Sequence, residues 1–326
     1  MTHRPNGVSY VCSYMASLSF SFIIPNFSFV YLKMSEKRTN RVYYRRMKGE
    51  IAMNVTNVST THYQQNGDHI VGMVLDPYEM EQNDPFLFLA HDDFVEGTFG
   101  PHPHRGIETV TYVVSGTVEH FDTANGPGTI HEGDVQWMTA GHGVLHSEEP
   151  AKGTRAQVLQ LWVNLPADEK MRESNYQTLL ARDMPVVSIG ASTIRLFAGA
   201  LGAYEAPTET IQPVHFFEVR VPAGETVTIP TPSDWKTFAA VLEGSGTFGT
   251  NERPATARQA VHFDGKGTSV TMTATDDLLV LLYAGKPLGQ PIAARGPFVM
   301  TTDEELQRAF QDYRNGYFHT LEKKED

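Results

Sequence analysis

The sequence is poor in the residues that several common kinds of site require. Its 326 residues include one cysteine, Cys12, so an intramolecular disulfide and a zinc site built on several cysteines are both excluded. A glycine-rich phosphate loop of the Walker or dinucleotide-binding type is also absent. So little cysteine is typical of a reducing compartment, and we predict a cytoplasmic protein.

Basic residues are in short supply over most of the chain. The formal net charge is −12, but residues 1–52 hold eight Lys and Arg against two Asp and Glu, so the rest of the chain carries about −18. A body this acidic repels phosphate backbones, which argues against direct nucleic-acid binding through a basic patch. With 40% hydrophobic and 20% charged residues, the composition is otherwise that of a folded globular protein.

Residues 1–52 form an N-terminal extension that differs from the rest. Residues 7–32 contain no charged side chain, and seven Lys and Arg follow between Lys33 and Lys48. Three interpretations are open: a translation start assigned too far upstream, a membrane anchor with a basic flank, or a signal peptide. A membrane is a partner only if the 7–32 segment belongs to the protein. The first interpretation offers three alternative starts: Met34, Met47 and Met53.

After about residue 65 the chain alternates short apolar runs with Gly, Pro, Asn and Asp turns, and long helical periodicity is scarce. The runs are rich in β-branched and aromatic residues, which favours strands. Their regular spacing predicts an antiparallel barrel or sandwich. The clearest predicted strands are Ile107–Val114, Val158–Leu165, His215–Val221, Phe238–Leu242 and Leu278–Tyr283.

A coarse internal repeat divides the chain in two. The segments TYVVSGTVEHFD and EGDVQWMTAG of the first half resemble FAAVLEGSGTFG and QAVHFDGKG of the second. We therefore predict an all-β fold of two antiparallel barrels, over residues 53–180 and 181–326. The charged segment Ala167–Arg182 joins them and is long enough for a short helix. Two barrels fused in one chain make a monomer the default expectation.

One clear helix is predicted near the C-terminus. Thr302 followed by Glu305 matches a capping box, and Leu306 and Phe310 recur at helical spacing. Gly316 stands where a helix C-terminus favours glycine. We expect this short helix to cover one of the barrels.

Four side chains able to bind a metal fall in two short strand-like segments. His102 and His104 are two residues apart, so on a strand both side chains point to one face. His146 and Glu148 repeat this spacing some forty residues later. Each pair alone is a weak signal, since most such histidines are surface or hydrogen-bonded residues. If the two strands face each other in a barrel, three imidazoles and one carboxylate converge, a set that suits iron(II), manganese, nickel, copper or zinc.

Three segments resemble the pirin family: PHPHRGIETVTYVVSGTVEH, GDVQWMTAGHGVLHSE and GPFVMTTDEELQRAF. The resemblance covers about residues 65–318. It implies a bicupin, two cupin-type barrels in one chain, of which only the N-terminal barrel holds a metal, usually iron. It also implies that the metal ligands are four residues at the family's ligand positions: His102, His104, His146 and Glu148.

Other polar residues near the two motifs are expected to lie outside the ligand set. Many cupins use a carboxylate at the position of Thr109, and strand alternation from Thr109 turns Glu108 away from the metal. Gln136 and Trp137 belong either to the core or to the pocket wall. The second half has no H-x-H pair, so its barrel is predicted to be degenerate. Three further histidines are expected in outer or loop positions: His120, His131 and His142.

The resemblance supports two functions from different classes. Some pirins are similar to quercetinases, which implies an iron-dependent dioxygenase that uses O₂ on a flavonol or catechol-like substrate. In that case Glu148 is both a weak ligand and the general base. Other pirins resemble iron-dependent regulators, which implies a protein partner and no catalysis. A structural metal is a third alternative, which the lack of cysteine ligands disfavours.

Overall fold

The computed structural model describes residues 51–123 and 126–318, which are mostly antiparallel strands. The predicted all-β fold of two antiparallel barrels with a short C-terminal helix is confirmed. The predicted N-terminal extension lies outside the described residues, apart from Ile51 and Ala52. Among the residues described, no helix has the length and apolar character needed to span a bilayer.

The N-terminal half consists mainly of strands, which are three to ten residues long. A 3₁₀ turn at Pro77–Glu79 precedes its single short helix, α1 (Met80–Asn83). Its strands are β1 (Val55–Thr60), β2 (Tyr63–Asn66), β3 (His69–Leu75), β4 (Phe86–Val95), β5 (His102–His104), β6 (Ile107–Ser115), β7 (Thr117–Asp122), β8 (Gly126–His131), β9 (Val135–Thr139), β10 (Val144–Pro150), β11 (Arg155–Asn164) and β12 (Asn175–Leu179).

The C-terminal half has the same make-up and ends in a helix. A 3₁₀ turn at Ala181–Asp183 separates it from the first half. Its elements are β13 (Val186–Ile189), β14 (Ser192–Ala198), β15 (Ala200–Leu201), β16 (Tyr204–Glu205), β17 (Val214–Val221), β18 (Thr226–Pro230), β19 (Lys236–Glu243), β20 (Ser245–Phe248), β21 (Arg253–Thr256), β22 (Gln259–Phe263), β23 (Ser269–Ala274), β24 (Leu278–Gly285), β25 (Ala293–Arg295), β26 (Phe298–Met300) and α2 (Asp303–Arg314).

Each barrel consists of a seven-stranded sheet packed against a four-stranded sheet. In the N-terminal barrel the strand orders are β12-β9-β6-β11-β4-β3-β2 and β5-β10-β7-β8. Side chains from both sheets meet in one cluster that includes Phe94, Val113, Val118 and Ile130. In the C-terminal barrel the orders are β1-β22-β19-β24-β17-β14-β13 and β18-β23-β20-β21. The five apolar runs predicted as strands lie in β6, β11, β17, β19 and β24.

The segment Ala167–Arg182, which by its sequence could form a short helix, contains no α-helix. Its last part forms β12, which pairs with β9 from Asn175 opposite Thr139 to Leu179 opposite Val135. This segment forms a strand because of a contact far away in the sequence. Without β12, β9 would have unpaired backbone N–H and C=O groups at the edge of the sheet, and β12 forms hydrogen bonds with them. Leu179 is buried in the process.

The first strand crosses to the other barrel. β1 pairs with β22, with Val55 opposite Phe263 and Thr60 opposite Gln259, and it thereby covers one edge of the C-terminal sheet. Met53 and Val55 are buried in the C-terminal core. The division of the chain at residue 180 stays a prediction. Strand β1 lies in the first of the two predicted segments but pairs with the sheet of the C-terminal barrel.

A shared aromatic core joins the two large sheets. The Tyr283 ring stacks on Phe216 and Phe238, with centroids 4.6 and 4.8 Å apart, and Phe86 of the N-terminal barrel meets Phe238 at 5.3 Å. Trp137 packs in the same cluster, so it belongs to the core and not to the pocket wall. The middle of the outer face of the N-terminal large sheet is therefore buried against the C-terminal barrel, and its inner face forms a wall of the barrel interior.

The C-terminal segment returns to the N-terminal barrel beside β5. Arg105, next to His104, bridges in parallel to Phe298, and its guanidinium donates to His142 O at 2.6 Å and to Asp312 Oδ2 at 2.8 Å. The predicted helix is present as α2, with the Thr302 and Glu305 capping box formed. Strand β26 and α2 thus cover the barrel next to the H-x-H motif.

Buried Lys170 joins three segments at this junction. Its ammonium donates to Gly106 O at 3.0 Å, to Asn164 Oδ1 at 2.7 Å and to Val299 O at 3.0 Å. These acceptors lie just before β6, at the end of β11 and in β26. Burial lowers the pKa of Lys170 to about 7. The three oxygens compensate the ammonium for its lost hydration.

We expect Lys170→Met to destabilise the protein by roughly 3 kcal/mol, because it leaves three buried oxygens without a donor. Denaturant unfolding at pH 7 measures the change. The matched control is Lys286→Met, which replaces an exposed lysine and should stay within about 0.5 kcal/mol of wild type. Equal unfolding midpoints for the two variants would contradict a stabilising role for the three hydrogen bonds of Lys170.

Candidate metal centre

The H-x-H motif forms a short edge strand whose register is set by β10. In the β5–β10 pair, His102 stands opposite His146 and His104 opposite Val144. Pro103 between the histidines lacks an N–H, which an edge strand tolerates because one side of it makes no ladder bonds. The side chains of His102, His104 and His146 therefore project from the same face of the four-stranded sheet into the barrel.

The structure brings the three predicted histidines together. One ring nitrogen of each lies within 4.8 Å of the others. The ring centroids of His102 and His146 are 4.3 Å apart, and each lies 4.9 Å from that of His104. His104 and His146 are buried, whereas His102 is partly exposed and marks the side from which the cluster can be reached.

The hydrogen bonds of the cluster leave nitrogens free for a metal. His102 Nδ1 donates to Gly100 O at 2.8 Å, and His104 Nδ1 has a long contact of 3.4 Å with Pro297 O. Such bonds on Nδ1 direct Nε2 toward a metal. His104 Nε2 and both ring nitrogens of His146 are buried and make no hydrogen bond with any residue that the structure describes. Because buried polar groups are normally satisfied, these nitrogens fit metal coordination.

Burial keeps the buried imidazoles in the form that binds metals. It lowers the pKa of His104 to about 3, with a smaller contribution from the charge of His102. It also lowers the pKa of His146 well below its ordinary value, assisted by the neighbouring histidines. Both rings are therefore neutral at physiological pH, and their lone pairs need no deprotonation before a metal binds.

The structure does not bring Glu148 into this cluster. Glu148 follows His146 by two residues on β10, shares its face and is buried. Its two oxygens accept hydrogen bonds from Thr111 Oγ1 at 2.9 Å and Gln160 Nε2 at 2.7 Å. No oxygen of Glu148 joins the group of ring nitrogens that lie within 4.8 Å of one another. The role of Glu148 as ligand and base stays a prediction.

His120 lies inside the barrel, so the expected outer or loop position is wrong. It stands opposite Glu148 in the β7–β10 pair, and its ring centroid is 5.9 Å from that of His146. Gln136 Nε2 donates to its Nδ1 at 2.8 Å, so its Nε2 carries the proton that Asp122 Oδ2 accepts at 2.9 Å. The i, i+2 spacing of His120 and Asp122 on one strand is the signal that would have placed both inside.

The remaining candidates lie away from the cluster. His131 is exposed at the end of β8, where it bonds Thr117, and His142 is in the turn after β9, as expected. Glu108 is buried with Thr139 as its donor at 2.8 Å, and burial raises its pKa to about 7. Strand alternation turns Glu108 from the barrel interior toward the shared core, as the sequence predicts.

The C-terminal barrel has an apolar interior. Side chains of both its sheets fill it, among them Leu196, Phe217, Phe248 and Met272. Within residues 51–123 and 126–318, no second group of three or more potential metal ligands was found. The two barrels therefore differ in what their interiors hold, as the missing H-x-H pair indicates.

We expect the full chain to bind one divalent metal ion, and His104→Ala to weaken that binding by more than about 100-fold because a buried ligand is lost. Metal analysis after dialysis and titration of the metal-free protein measure this. His131→Ala removes an exposed histidine and is the matched control, with unchanged stoichiometry and affinity. If both variants lost metal equally, the metal would not be bound at the cluster of His102, His104 and His146.

Comparison with known proteins agrees with this geometry. The family model described as "Pirin" matches residues 51–163, and that of the "Pirin C-terminal cupin domain" matches residues 216–319. A pirin-like protein of Solanum lycopersicum is 38% identical over 259 residues, which cover 78% of this chain and 88% of that protein.

Solved structures show the same fold. A quercetin 2,3-dioxygenase from Acinetobacter baumannii has a TM-score of 0.75 and 32% identity, and the match covers 82% of this chain and 99% of that one. The Escherichia coli pirin YhhW, solved in complex with nickel(II), has a TM-score of 0.59 at 21% identity over 71% of this chain and 99% of its own. The two matched cupin domains, the level of identity and the three-histidine site in the first barrel show that the chain belongs to the pirin family of the cupin superfamily.

Proposed function

We propose that this protein is an iron(II)-dependent dioxygenase of the quercetinase type, which uses O₂ to cleave a flavonol or catechol-like substrate. The observation that carries the proposal is the cluster of three imidazoles whose buried nitrogens have no other partner. The similarity to a quercetin 2,3-dioxygenase at 32% identity supports the reaction class.

The donor set supports a catalytic metal. Three imidazole ligands leave positions open for a substrate oxygen and for O₂, whereas structural sites are usually closed by four protein ligands. Iron(II) bound at His102, His104 and His146 would supply a Lewis acid and an electron donor for O₂. Manganese, nickel, copper and zinc suit the same nitrogens.

Glu148 is the proposed general base. Its carboxylate lies on the same strand face as His146, buried from water, and within the barrel that would hold the reacting ring. A carboxylate here can accept the proton of the substrate hydroxyl as that oxygen binds the metal. Thr111 and Gln160 donate to the carboxylate and hold it oriented for this step.

The walls around Glu148 limit the access of bulk water. A small cavity beside Glu148 is bordered on one side by the polar side chains of Asp92, Thr111 and Gln160. Its other walls are apolar: Phe94, Phe99, Val118 and Val158. In such surroundings a charge-assisted hydrogen bond is stronger, and a reactive intermediate is shielded from hydrolysis. This environment suits an oxygenase more than a site that only exchanges metal with solvent.

A metal-dependent regulator that binds a protein partner is the second candidate. It is favoured by the contacts between the H-x-H strand and the C-terminal segment. His104 Nδ1 faces Pro297 O, and the neighbouring Arg105 bonds Asp312 of α2. The oxidation of iron(II) to iron(III) adds one positive charge beside these contacts, which can bias the surface around α2.

We expect the anaerobically prepared iron(II) protein to consume quercetin when O₂ is added. The loss of flavonol absorbance measures this reaction. Glu148→Gln should lower kcat by about 10²- to 10⁴-fold, the range for loss of a general base. His104→Ala should abolish turnover with the metal, while His131→Ala serves as the unaffected control. Full metal loading without turnover on flavonols and catechols would contradict the oxygenase and favour the regulator.

A further inference from the structure

The Phe318 side chain contacts both segments that carry the metal-binding histidines. Phe318 lies beyond the end of α2 and is buried. The Arg105 guanidinium lies over its ring, 4.6 Å from the centroid. The ring also lies against Gly143, where an added Cβ atom would come within 2.5 Å of it. Arg105 directly follows His104, and Gly143 stands three residues before His146. One aromatic ring from the C-terminal segment therefore touches the chain next to each ligand motif.

Arg105 extends this contact with hydrogen bonds. Its side chain is bonded to His142 O, in the turn before β10, and to Asp312 of α2. Its own carbonyl accepts from Val299 N at 3.1 Å. Because Arg105 is buried, its cation–π contact with Phe318 is little weakened by water. The chain next to His104 is thus joined both to the turn that leads to His146 and to the C-terminal segment.

The position of the Phe318 ring is fixed from the side of the C-terminal segment. The ring stands perpendicular to Phe298 of β26, with centroids 5.5 Å apart, and meets Tyr313 of α2 at 5.7 Å. Phe310 packs on the other member of this group, Phe298, at 4.9 Å. These contacts prevent the ring from following a movement of β5 or of the turn before β10.

Strand β5 has few contacts of its own to hold it. It is three residues long, stands at the edge of the four-stranded sheet and pairs only with β10. Its middle residue, Pro103, has no N–H to donate. A metal centre binds tightly when its ligands are ordered before the ion arrives, since otherwise part of the binding free energy is used to order them. The order of β5 must therefore come from neighbouring contacts.

We propose that Phe318 and Arg105 are positioning residues of the metal centre, which hold His104 and His146 at their mutual distance before a metal binds. The inference rests on the metal site of the proposed function and is independent of the reaction catalysed there. Loss of the Phe318 ring leaves a void between the two ligand segments and frees the Arg105 guanidinium from one of its contacts. The histidines then occupy a wider range of positions, and the metal binds more weakly.

The test is titration of the metal-free full chain with cobalt(II), followed by its visible absorption. Phe318→Ala should raise the Kd about tenfold, within the range for residues that orient metal ligands. Tyr317→Ala removes the adjacent, exposed aromatic ring and should stay within about twofold of wild type. Phe318→Leu keeps most of the apolar volume and should raise the Kd by a smaller factor, which preserves the test if the alanine variant folds poorly.

Two further variants separate positioning from a general loss of stability. Phe248→Leu weakens the core of the C-terminal barrel, away from the histidines, and should leave the cobalt(II) Kd unchanged at a temperature where every variant is folded. Arg105→Met should also raise the Kd. Because Arg105 and Phe318 act through one contact, the double variant should bind cobalt(II) more tightly than the product of the two single effects predicts.

The outcomes distinguish this inference from the proposed function. Wild-type cobalt(II) affinity in both Phe318 variants would overturn the positioning role, and so would an equal loss of affinity in Phe248→Leu. The predicted loss in the Phe318 variants, together with no turnover of any flavonol by wild type, would support the positioning role and contradict the dioxygenase. Absence of cobalt(II) binding by wild type would overturn both.

Discussion

The antiparallel register of β5 and β10 is the constraint on which the rest of the site depends. It places His102 opposite His146 and so sets the distance between the two metal-binding motifs. Side chains on a strand alternate with a period of two, and a slip of one residue would turn all the ligands of one strand out of the barrel. On β10 such a slip would be costly, because it would bury the charged Glu149 side chain and turn the buried Val144 out of the barrel.

The two barrels share an architecture but differ in the residues that line their interiors. The C-terminal barrel is filled with apolar side chains and presents aromatic rings to the shared core, where Tyr283 stacks between Phe216 and Phe238. That core backs the large N-terminal sheet and holds β6 and β11 rigid. A rigid wall allows polar residues on its inner face, such as Thr111 and Gln160, to keep their orientation toward Glu148. The second barrel thus supports the first, and its described residues include no group of three potential metal ligands.

The C-terminal segment completes the first barrel from outside. Strand β26 and α2 reach the H-x-H motif through Arg105, and Lys170 joins β26 to the segments on either side. The metal-binding strand is short and lies at a sheet edge, where few ladder bonds hold it. Contacts of Arg105 with the C-terminal segment add hydrogen bonds beside this edge strand.

The sequence by itself determined the features that depend on local spacing: the apolar runs of the strands, the capping box of α2, and the i, i+2 pairs that place His102 with His104 and His146 with Glu148. These follow from the periods of strands and helices, which need no knowledge of distant partners. Only the tertiary structure decided which edge each strand joins and what each buried polar group meets. It paired β1 with the second barrel, made β12 a strand, and placed the Glu148 carboxylate against Thr111 and Gln160. Pairing between strands far apart in the chain depends on which edges remain open once the barrels close, and no local pattern records that.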